Sequence, residues 1–599
     1  MSDTTSQGHS PSASSKLAPW PGSHAMPRWN LNELIDAPKF ELSNVWRLIG
    51  PGLVMGGAAI GGGEWLSGPA VTAKYGAALL WVGTISIFFQ VFYNIEISRY
   101  ALYTGEPIFS GKLRILPGPW FWAGLYLLLD WGSVFPYLVA NAAVPIEAFL
   151  LGRLPDSNLH AGDWWLHKIL ITVLWLLTLI PLLVGGKVYN SLRVVMTIKL
   201  ILVIGFLGML GVFFTRTSTW LEISSGLFKF GTVPVERSED VNGNGLLDPG
   251  EDFDSDGHLD GIEPITKDAN GKVTGFEDLD HDTIRDGVNV DNPLVALWQG
   301  RALPPIDLSM IAVIAALAAI AGNGGLTNTP ISNFTRDQGW GMGYHVGAIP
   351  SVVGGKGIVL SHVGSVFEVN DQSLPRWRRW LWHVRREQWC VWLLACLIGI
   401  SLPSILSVEF LQRGTDAKDW SGAAMTADGV RRFVTEPRSD VLVSRLGLTP
   451  WLAGATWGQI AWASTLLCGF LVLITSHLTT MDGFVRRWVD VLWTASPRMR
   501  QMKDDRIGYV YLTVLLGYGV VGLGLLWLPT APSVVFQLST TGYNLAFAIS
   551  AWHTIVINST LLPPQLRPGY FVRAVLGLAG CFYFGLFVIS LLKLVGIIT

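Results

Sequence analysis

Residues 60–65 read Ile-Gly-Gly-Gly-Glu-Trp, in the middle of an apolar stretch that runs from about residue 47 to residue 70. Consecutive glycines form helix poorly, since each Gly costs about 1 kcal/mol relative to Ala in a helix interior. A second apolar stretch, 306–333, is interrupted in the same way by Ala-Gly-Asn-Gly-Gly at residues 321–325. Because a bilayer crossing takes about 20 helical residues, each interruption falls near the middle of a predicted membrane helix.

The composition is that of a membrane protein. Of the 599 residues, 50% are apolar and only 14% are charged, whereas soluble domains carry about 25% charged residues. Lipid offers the backbone no hydrogen-bond partners, so we predict an all-α polytopic protein. The eleven predicted spans are 47–70, 76–100, 119–141, 166–184, 191–214, 306–333, 389–409, 453–479, 507–528, 533–557 and 570–596.

The two interrupted helices are the first and the sixth of these spans, so alternation makes them run in opposite directions. Paired interruptions in two inverted halves are the sequence sign of a secondary transporter, here with a 5+5 inverted repeat. Unwound backbone at the midplane is tolerated inside protein or beside a water-filled cavity, where its carbonyl groups can coordinate a cation. The alternative is that the glycines only allow close helix packing.

Loop charges predict the orientation and the domains. Loops rich in Lys and Arg alternate with poorer ones, which places the N-terminus in the cytoplasm and the C-terminus outside, in a bacterial inner or plasma membrane. The start of the chain is polar and Ser/Pro-rich, so it is interpreted as a flexible tail and not as a signal peptide. The predicted domains are the cytoplasmic tail (1–45), a first five-helix repeat (46–215), an extracytoplasmic insert (216–305), a second repeat (306–557) with a cytoplasmic loop (337–388), and an eleventh helix (558–599). The oligomeric state is left open.

The insert is strongly acidic, since residues 239–291 hold 16 Asp and Glu against 3 Lys and Arg. Two adjacent stretches fit the EF-hand calcium loop in full, and a third fits it less well. The predicted Ca²⁺ ligands are Asp240, Asn242, Asn244, Asp248, Glu251, Asp252, Asp254, Asp256, Asp260, Glu263, Asp278, Asp280, Asp282 and Asp286. The first two loops adjoin without intervening helices and so resemble thrombospondin type 3 or dockerin repeats. The alternative is a solvated acidic linker.

Several motifs resemble the Nramp family of proton-coupled divalent metal transporters, which have the LeuT-like fold. Gly-Pro-Gly at 50–52 and Tyr-Gly at 75–76 are similar to motifs in that family's first two helices. Arg99, with Tyr-Thr-Gly at 103–105, resembles the end of its second helix. Met-Asp-Gly-Phe at 481–484 is similar to its Met-Glu-Gly-Phe. The resemblance covers about ten spans and implies the LeuT-like fold and a metal ion as substrate.

The resemblance also identifies the substrate ligands, and here the chain departs from the family. The family's Asp-Pro-Gly-Asn falls on residues 61–64, so the aspartate is lost and a carboxylate replaces the asparagine. Its Met-Pro-His falls on residues 322–324, which removes the thioether and the imidazole. The candidate ligands that remain are all oxygen atoms, from the side chains of Glu64, Asn323 and Gln537 and the carbonyl groups of Gly61 and Gly322.

Oxygen ligands suit hard ions such as Mg²⁺, Ca²⁺ or Mn²⁺ better than soft transition metals. We therefore expect a secondary transporter of a hard divalent cation, Mg²⁺ or Mn²⁺, coupled to a proton or ion gradient. No catalysis is expected, because the sequence contains no P-loop, no GxSxG and no HExxH motif. The alternatives are a non-transporting calcium-binding receptor or scaffold, and a transporter of an organic solute on the same fold. No feature indicates nucleic acid.

Three further titratable groups are candidates for proton transfer or gating. Asp130 lies where the resemblance places an acidic residue at the start of the third helix, and it either relays protons, pairs with a buried base or lies near the lipid headgroups. His477 and Asp482 are expected to end the eighth span at the cytoplasmic mouth. Their alternatives are interfacial snorkelling and loop capping.

Overall fold

A computed structural model describes residues 22–41, 50–155, 161–183, 188–235, 266–267, 273–275, 290–300, 303, 306–350, 358–411, 413, 415, 422–528 and 530–597. Within these residues, eight helices are long and apolar enough to cross a membrane, as expected of an integral membrane protein. Pro51–Leu79 and Trp81–Thr104 meet at 94° and are long and apolar enough only as a pair, which brings the count to nine when the pair is taken as one span. The mainly helical membrane fold is therefore confirmed, while the count of eleven spans and the inverted repeat stay predictions.

The helices are α1 (Pro51–Ala59), α2 (Gly68–Tyr75), α3 (Trp81–Thr104), α4 (Ile108–Arg114), α5 (Pro119–Leu129), α6 (Trp131–Val134), α7 (Tyr137–Leu151), α8 (Ala161–Leu183), α9 (Val188–Phe214), α10 (Thr217–Gly226), α11 (Pro293–Trp298), α12 (Ile311–Ile320), α13 (Pro330–Asp337), α14 (Gly343–Val346), α15 (Ser373–Glu387), α16 (Leu393–Phe410), α17 (Met425–Thr435), α18 (Leu442–Arg445), α19 (Thr449–Leu452), α20 (Ala455–Ala495), α21 (Ile507–Leu526), α22 (Pro532–Thr560) and α23 (Tyr570–Leu594). Short π-helices cover Gly63–Ser67 and Gln388–Trp392, and 3₁₀ turns cover Gly76–Leu79, Gly325–Asn328, Met499–Gln501, Asp504–Arg506 and Pro564–Leu566.

Six very short strands, β1 to β6, form three two-stranded sheets. Their bounds are Asn30–Leu31, Val233–Pro234, Thr266–Lys267, Val273–Gly275, Val290–Asp291 and Ser365–Val366. β2 pairs antiparallel with β5, so residues 233–234 and 290–291 of the predicted insert lie side by side. All fourteen predicted Ca²⁺ ligands lie outside the described residues.

The third span lies about ten residues later than predicted. Instead of one helix over 119–141, α5 ends at Leu129 and the membrane-length segment is Trp131–Leu151. Pro136 causes the break between α6 and α7, because a residue that precedes a proline disfavours the helical conformation. Phe135 is accordingly extended, with a ψ angle of 119°.

The helix that contains the predicted eighth span, 453–479, extends well beyond it. α20 is one continuous helix of 41 residues, or about 60 Å at 1.5 Å per residue. Since the hydrocarbon core of a bilayer is about 30 Å thick, only part of α20 can cross it, and the span 453–479 stays a prediction. In the structure Arg486 and Arg487 are fully buried and paired with carboxylates from other parts of the chain, so they do not end the helix.

Residues 22–41 are not the flexible tail that the sequence predicted. They pack across one end of the bundle, where Met26, Trp29 and Leu34 are buried. β1 in this segment pairs parallel with β6, and the Arg114 guanidinium lies 4.6 Å from the Trp29 ring centroid. The apolar side chains of this segment are scattered among polar ones, and the segment is too short to show the sustained period of a membrane helix.

Candidate functional site

The first span is interrupted where the sequence predicts. α1 ends at Ala59, Ile60 leaves the helical conformation with ψ of 87°, and a π-helix begins at Gly63. Gly63 is required by close packing, since a Cβ there would lie 2.3 Å from the Ile320 carbonyl oxygen. The interruption of the first span therefore contacts the end of α12 directly.

The interruption of the sixth span begins directly after the last residue of α12. Ala321 is extended, Gly322 has a φ of +87°, and Gly325 has a φ of +58°. Positive φ favours glycine, because a side chain is strained in that conformation. The chain returns to helix at Pro330, the first residue of α13.

Glu64 joins the two interruptions. Its Oε2 accepts a hydrogen bond of 2.9 Å from the Gly61 N–H, and its Oε1 accepts one of 2.9 Å from the Gly322 N–H. The side chain is completely buried. One carboxylate thus satisfies unwound backbone of both broken spans, and the first of these bonds also caps the half-helix that follows Gly61.

A small polar cavity lies beside this junction. The residues that line it come from five parts of the chain, namely Ala58, Gly61, Gly62, Tyr137, Leu138, Ile320, Gly322, Asn323, Gly324, Thr327, Ser476, Thr480 and Tyr543. The lining thus offers hydroxyl, amide and carbonyl oxygens and no carboxylate. Of the predicted ligands, Gly61, Gly322 and Asn323 line the cavity. Glu64 lies behind its glycine wall, and Gln537 is half-buried on α22, six residues before Tyr543.

Asn323 is held in place by groups on α1 and α3. Its side-chain nitrogen donates 3.1 Å to the Met55 carbonyl, which leaves its side-chain oxygen as the atom able to contact a cation. Gln90 accepts from the Asn323 N–H at 2.9 Å and from the Asn328 amide at 3.0 Å, and donates 2.7 Å to the Ala321 carbonyl. Sequence reasoning missed Gln90, although an amide inside an apolar span is a usable signal.

Lys199 was also missed. It lies on α9, is 2% exposed, and donates a 2.7 Å hydrogen bond to the Ser476 hydroxyl of α20. That hydroxyl in turn lies 3.1 Å from the carbonyl oxygens of Ala58 and Ile60 at the end of α1. A basic group therefore stands at the edge of the cavity.

Asp130 is an ion-pair partner and not a headgroup residue. It is buried, and both of its oxygens accept from the Arg487 guanidinium, at 2.7 and 3.0 Å. Arg487 also donates 3.1 Å to the Leu326 carbonyl, in the turn that follows the second interruption. Asp130 is thus linked through Arg487 to the broken sixth span, which matches the predicted pairing with a buried base.

His477 and Asp482 lie inside α20 and not at the end of a span. The His477 ring is buried against Trp175, with ring centroids 4.9 Å apart, although the preceding Ser476 lines the cavity. Asp482 is paired with Arg486 at 2.5 Å and accepts 2.7 Å from the Tyr511 hydroxyl. Neither lines the cavity, so a role for them in gating or proton transfer stays a prediction.

The pair formed by Asp482 and Arg486 belongs to a larger buried network. Arg486 also pairs with Asp337 at the end of α13. Asp337 accepts from Arg336 at 2.9 Å, and Arg336 donates to Asp490 at 2.7 Å. Two arginines are thus shared among three aspartates, all of them 2% exposed or less.

Among the residues that the structure describes, no cluster of three or more His, Cys, Asp or Glu side chains is arranged to hold a metal ion. A cation in the cavity would depend on neutral oxygens, with Glu64 providing charge from behind the wall.

No protein-family model and no curated protein matches the chain. Solved structures do match. Two variants of the manganese transporter of Eremococcus coleocola superpose with TM-scores of 0.52 and 0.51 at 11% and 10% sequence identity. Each alignment covers 94% of this chain and 91% of the transporter. The chain therefore has the fold of this manganese transporter over almost its whole length.

Proposed function

We propose that the protein is a secondary transporter of a small metal cation, which works by alternating access at the junction of the two broken spans. The observation that carries the proposal is the Glu64 carboxylate, which ties both interruptions together beside a polar cavity. A movement of one broken span against the other would have to change the hydrogen bond between Glu64 and the Gly322 N–H, whereas the bond to Gly61 stays within the first span. The fold shared with a manganese transporter supports the same function.

Hard divalent cations, Mg²⁺ or Mn²⁺, are the proposed cargo. The cavity offers oxygens only, from Asn323, Thr327, Ser476 and backbone carbonyls. Such ligands suit these ions, and Mg²⁺ in particular keeps part of its hydration shell. The energy source is proposed to be a proton or ion gradient, with the N-terminus on the cytoplasmic side.

An organic solute is the second candidate, on one specific observation. Within the described part of the chain, no carboxylate lines the cavity, so a dication finds no direct charge partner there. A neutral or zwitterionic solute would be held by the same hydroxyl, amide and backbone groups.

Purified protein in liposomes separates the two candidates. We expect Mn²⁺ and Mg²⁺ to enter proteoliposomes faster than empty liposomes, and Asn323→Ala to slow entry because it removes the one side-chain amide of the cavity wall. Gly124→Ala is the matched control, since a Cβ at position 124 meets no atom within 4 Å. Cation entry equal to that of empty liposomes would contradict the metal proposal, and saturable uptake of an organic solute would then support the second candidate.

Calcium binding by the insert stays a proposal that rests on its sequence. We expect Ca²⁺ to protect residues 236–295 of the purified protein from limited proteolysis, because the loops are held by ions and contain little apolar core. The double variant Asp252→Asn and Asp254→Asn should lose this protection. Wild type in Mg²⁺ is the control for unspecific screening of the acidic residues by a dication, and it should be cleaved as it is without Ca²⁺. Equal cleavage of wild type with and without Ca²⁺ would contradict the proposal.

A further inference from the structure

A buried lysine stands at the broken first span, where a cation transporter would be expected to avoid positive charge. Lys199 lies in the interior of α9, where the fifteen residues that follow it are all apolar or glycine, and is 2% exposed. Ionisable side chains at this depth are costly, and in membrane proteins they are usually functional. The function proposed above does not use this group.

The surroundings of Lys199 are those that a cation takes. Within the described residues it donates one hydrogen bond, to the Ser476 hydroxyl. This hydroxyl lies within hydrogen-bond distance of the Ala58 and Ile60 carbonyls. Both carbonyls belong to the C-terminal end of α1, where the helix dipole places partial negative charge. The ammonium therefore lies beside a group of oxygens that would otherwise attract an ion.

Glu64 is an acidic side chain that interacts electrostatically with Lys199, although the two do not form an ion pair. The Glu64 oxygens are engaged by the Gly61 and Gly322 N–H groups, while the ammonium is engaged by Ser476. Both groups flank the cavity from behind its wall, so when both are ionised their net charge is zero. A dication that enters is attracted by Glu64 and repelled by Lys199.

We propose that Lys199 is a tethered cation that competes with the cargo for the broken first span and so determines the charge that the cavity accepts. The inference rests on the proposed function and deepens it. While the ammonium is in place, divalent cations bind weakly, which favours release. Removal of its charge leaves Glu64 uncompensated and makes the cavity net negative.

The test compares Mn²⁺ and Mg²⁺ binding by wild type, Lys199→Gln, Lys199→Met and Lys199→Arg in detergent, at one pH and one ionic strength. We expect the Gln and Met variants to bind Mn²⁺ at least about tenfold more tightly than wild type, because a buried like charge has been removed. The Arg variant keeps a permanent charge and should show no gain. Transport by Lys199→Gln should be slower despite the tighter binding, because release is impeded.

The outcomes distinguish the inference from the function on which it rests. If wild type binds either ion but Lys199→Gln binds no more tightly than Lys199→Arg, the competition is refuted while the proposed function stands. If neither wild type nor any variant binds Mn²⁺ or Mg²⁺, the proposed metal function falls, and the inference with it. Size-exclusion chromatography and melting curves report folding. Failure of both neutral variants to fold would assign Lys199 a structural role and overturn the inference.

Discussion

Glu64→Gln is expected to reduce cation uptake by roughly ten- to a hundredfold, in a protein that still folds. The carboxylate accepts from two N–H groups at once, those of Gly61 and Gly322, at 2.9 Å each. A glutamine of the same shape has one oxygen and one NH₂ group, so a donor would face a donor at one of the two interruptions. A hydrogen bond to a charged group contributes about 1.5–3 kcal/mol, and this range corresponds to the stated loss.

The measurement is initial-rate Mn²⁺ uptake into proteoliposomes, normalised to folded protein. Glu147→Gln is the matched control. Glu147 is also a fully buried membrane carboxylate, but it accepts from His167 at 2.9 Å and does not contact either broken span. Uptake by Glu147→Gln should stay near wild type. Wild-type uptake by Glu64→Gln would mean that the link between the two interruptions is not needed for transport.

The interruptions and the residue that joins them were predictable because glycine arrays and a mid-membrane carboxylate are rare. Each has a local cause, in helix propensity or in the cost of burying charge, that a sequence displays directly. What the sequence did not display is that Glu64 faces the backbone of the sixth span and not the cavity. That depends on the contact between Gly63 and Ile320, which are far apart in the chain.

Lys199 and Gln90 show a different kind of failure. Both are polar residues inside predicted membrane spans, where the cost of burying polar groups is a usable signal. The ligand positions that the family resemblance implies include neither residue, so neither was predicted to belong to the site. The partners of Asp130 could not be read at all, because Arg487 lies 357 residues away.

The continuation of α20 beyond residue 479 was not predicted, because it depends on charged partners elsewhere in the chain. Arg486 and Arg487 counted toward the positively charged cytoplasmic loop that was predicted to follow the eighth span. The structure places both arginines inside α20 instead. Arg486 is paired with Asp337 of α13 and Asp482 of α20, and Arg487 is paired with Asp130, so the helix continues through both.

Arg486→Met is expected to lower the stability of the solubilised protein by about 3–5 kcal/mol, the cost of leaving a buried carboxylate without its partner. Arg486 is the shared partner of Asp337 and Asp482, both fully buried, and its loss leaves three aspartates to one arginine. The measurement is the melting temperature in detergent. The half-buried Arg376, which pairs with the exposed carboxylates of Glu33 and Asp36, supplies the control, and Arg376→Met should change the melting temperature far less.

Charge balance predicts a rescue that a simple packing loss would not. Asp482→Asn in the Arg486→Met background removes one of the uncompensated charges, and the Tyr511 hydroxyl, 2.7 Å from Asp482, can still donate to an amide oxygen. The double variant should therefore melt above the single Arg486→Met variant, although it carries one substitution more. If it melts lower, packing by the arginine outweighs its charge, and the network does not act as a unit of shared electrostatics. If it recovers, the same charge balance explains how α20 can bury Arg486 completely in its interior.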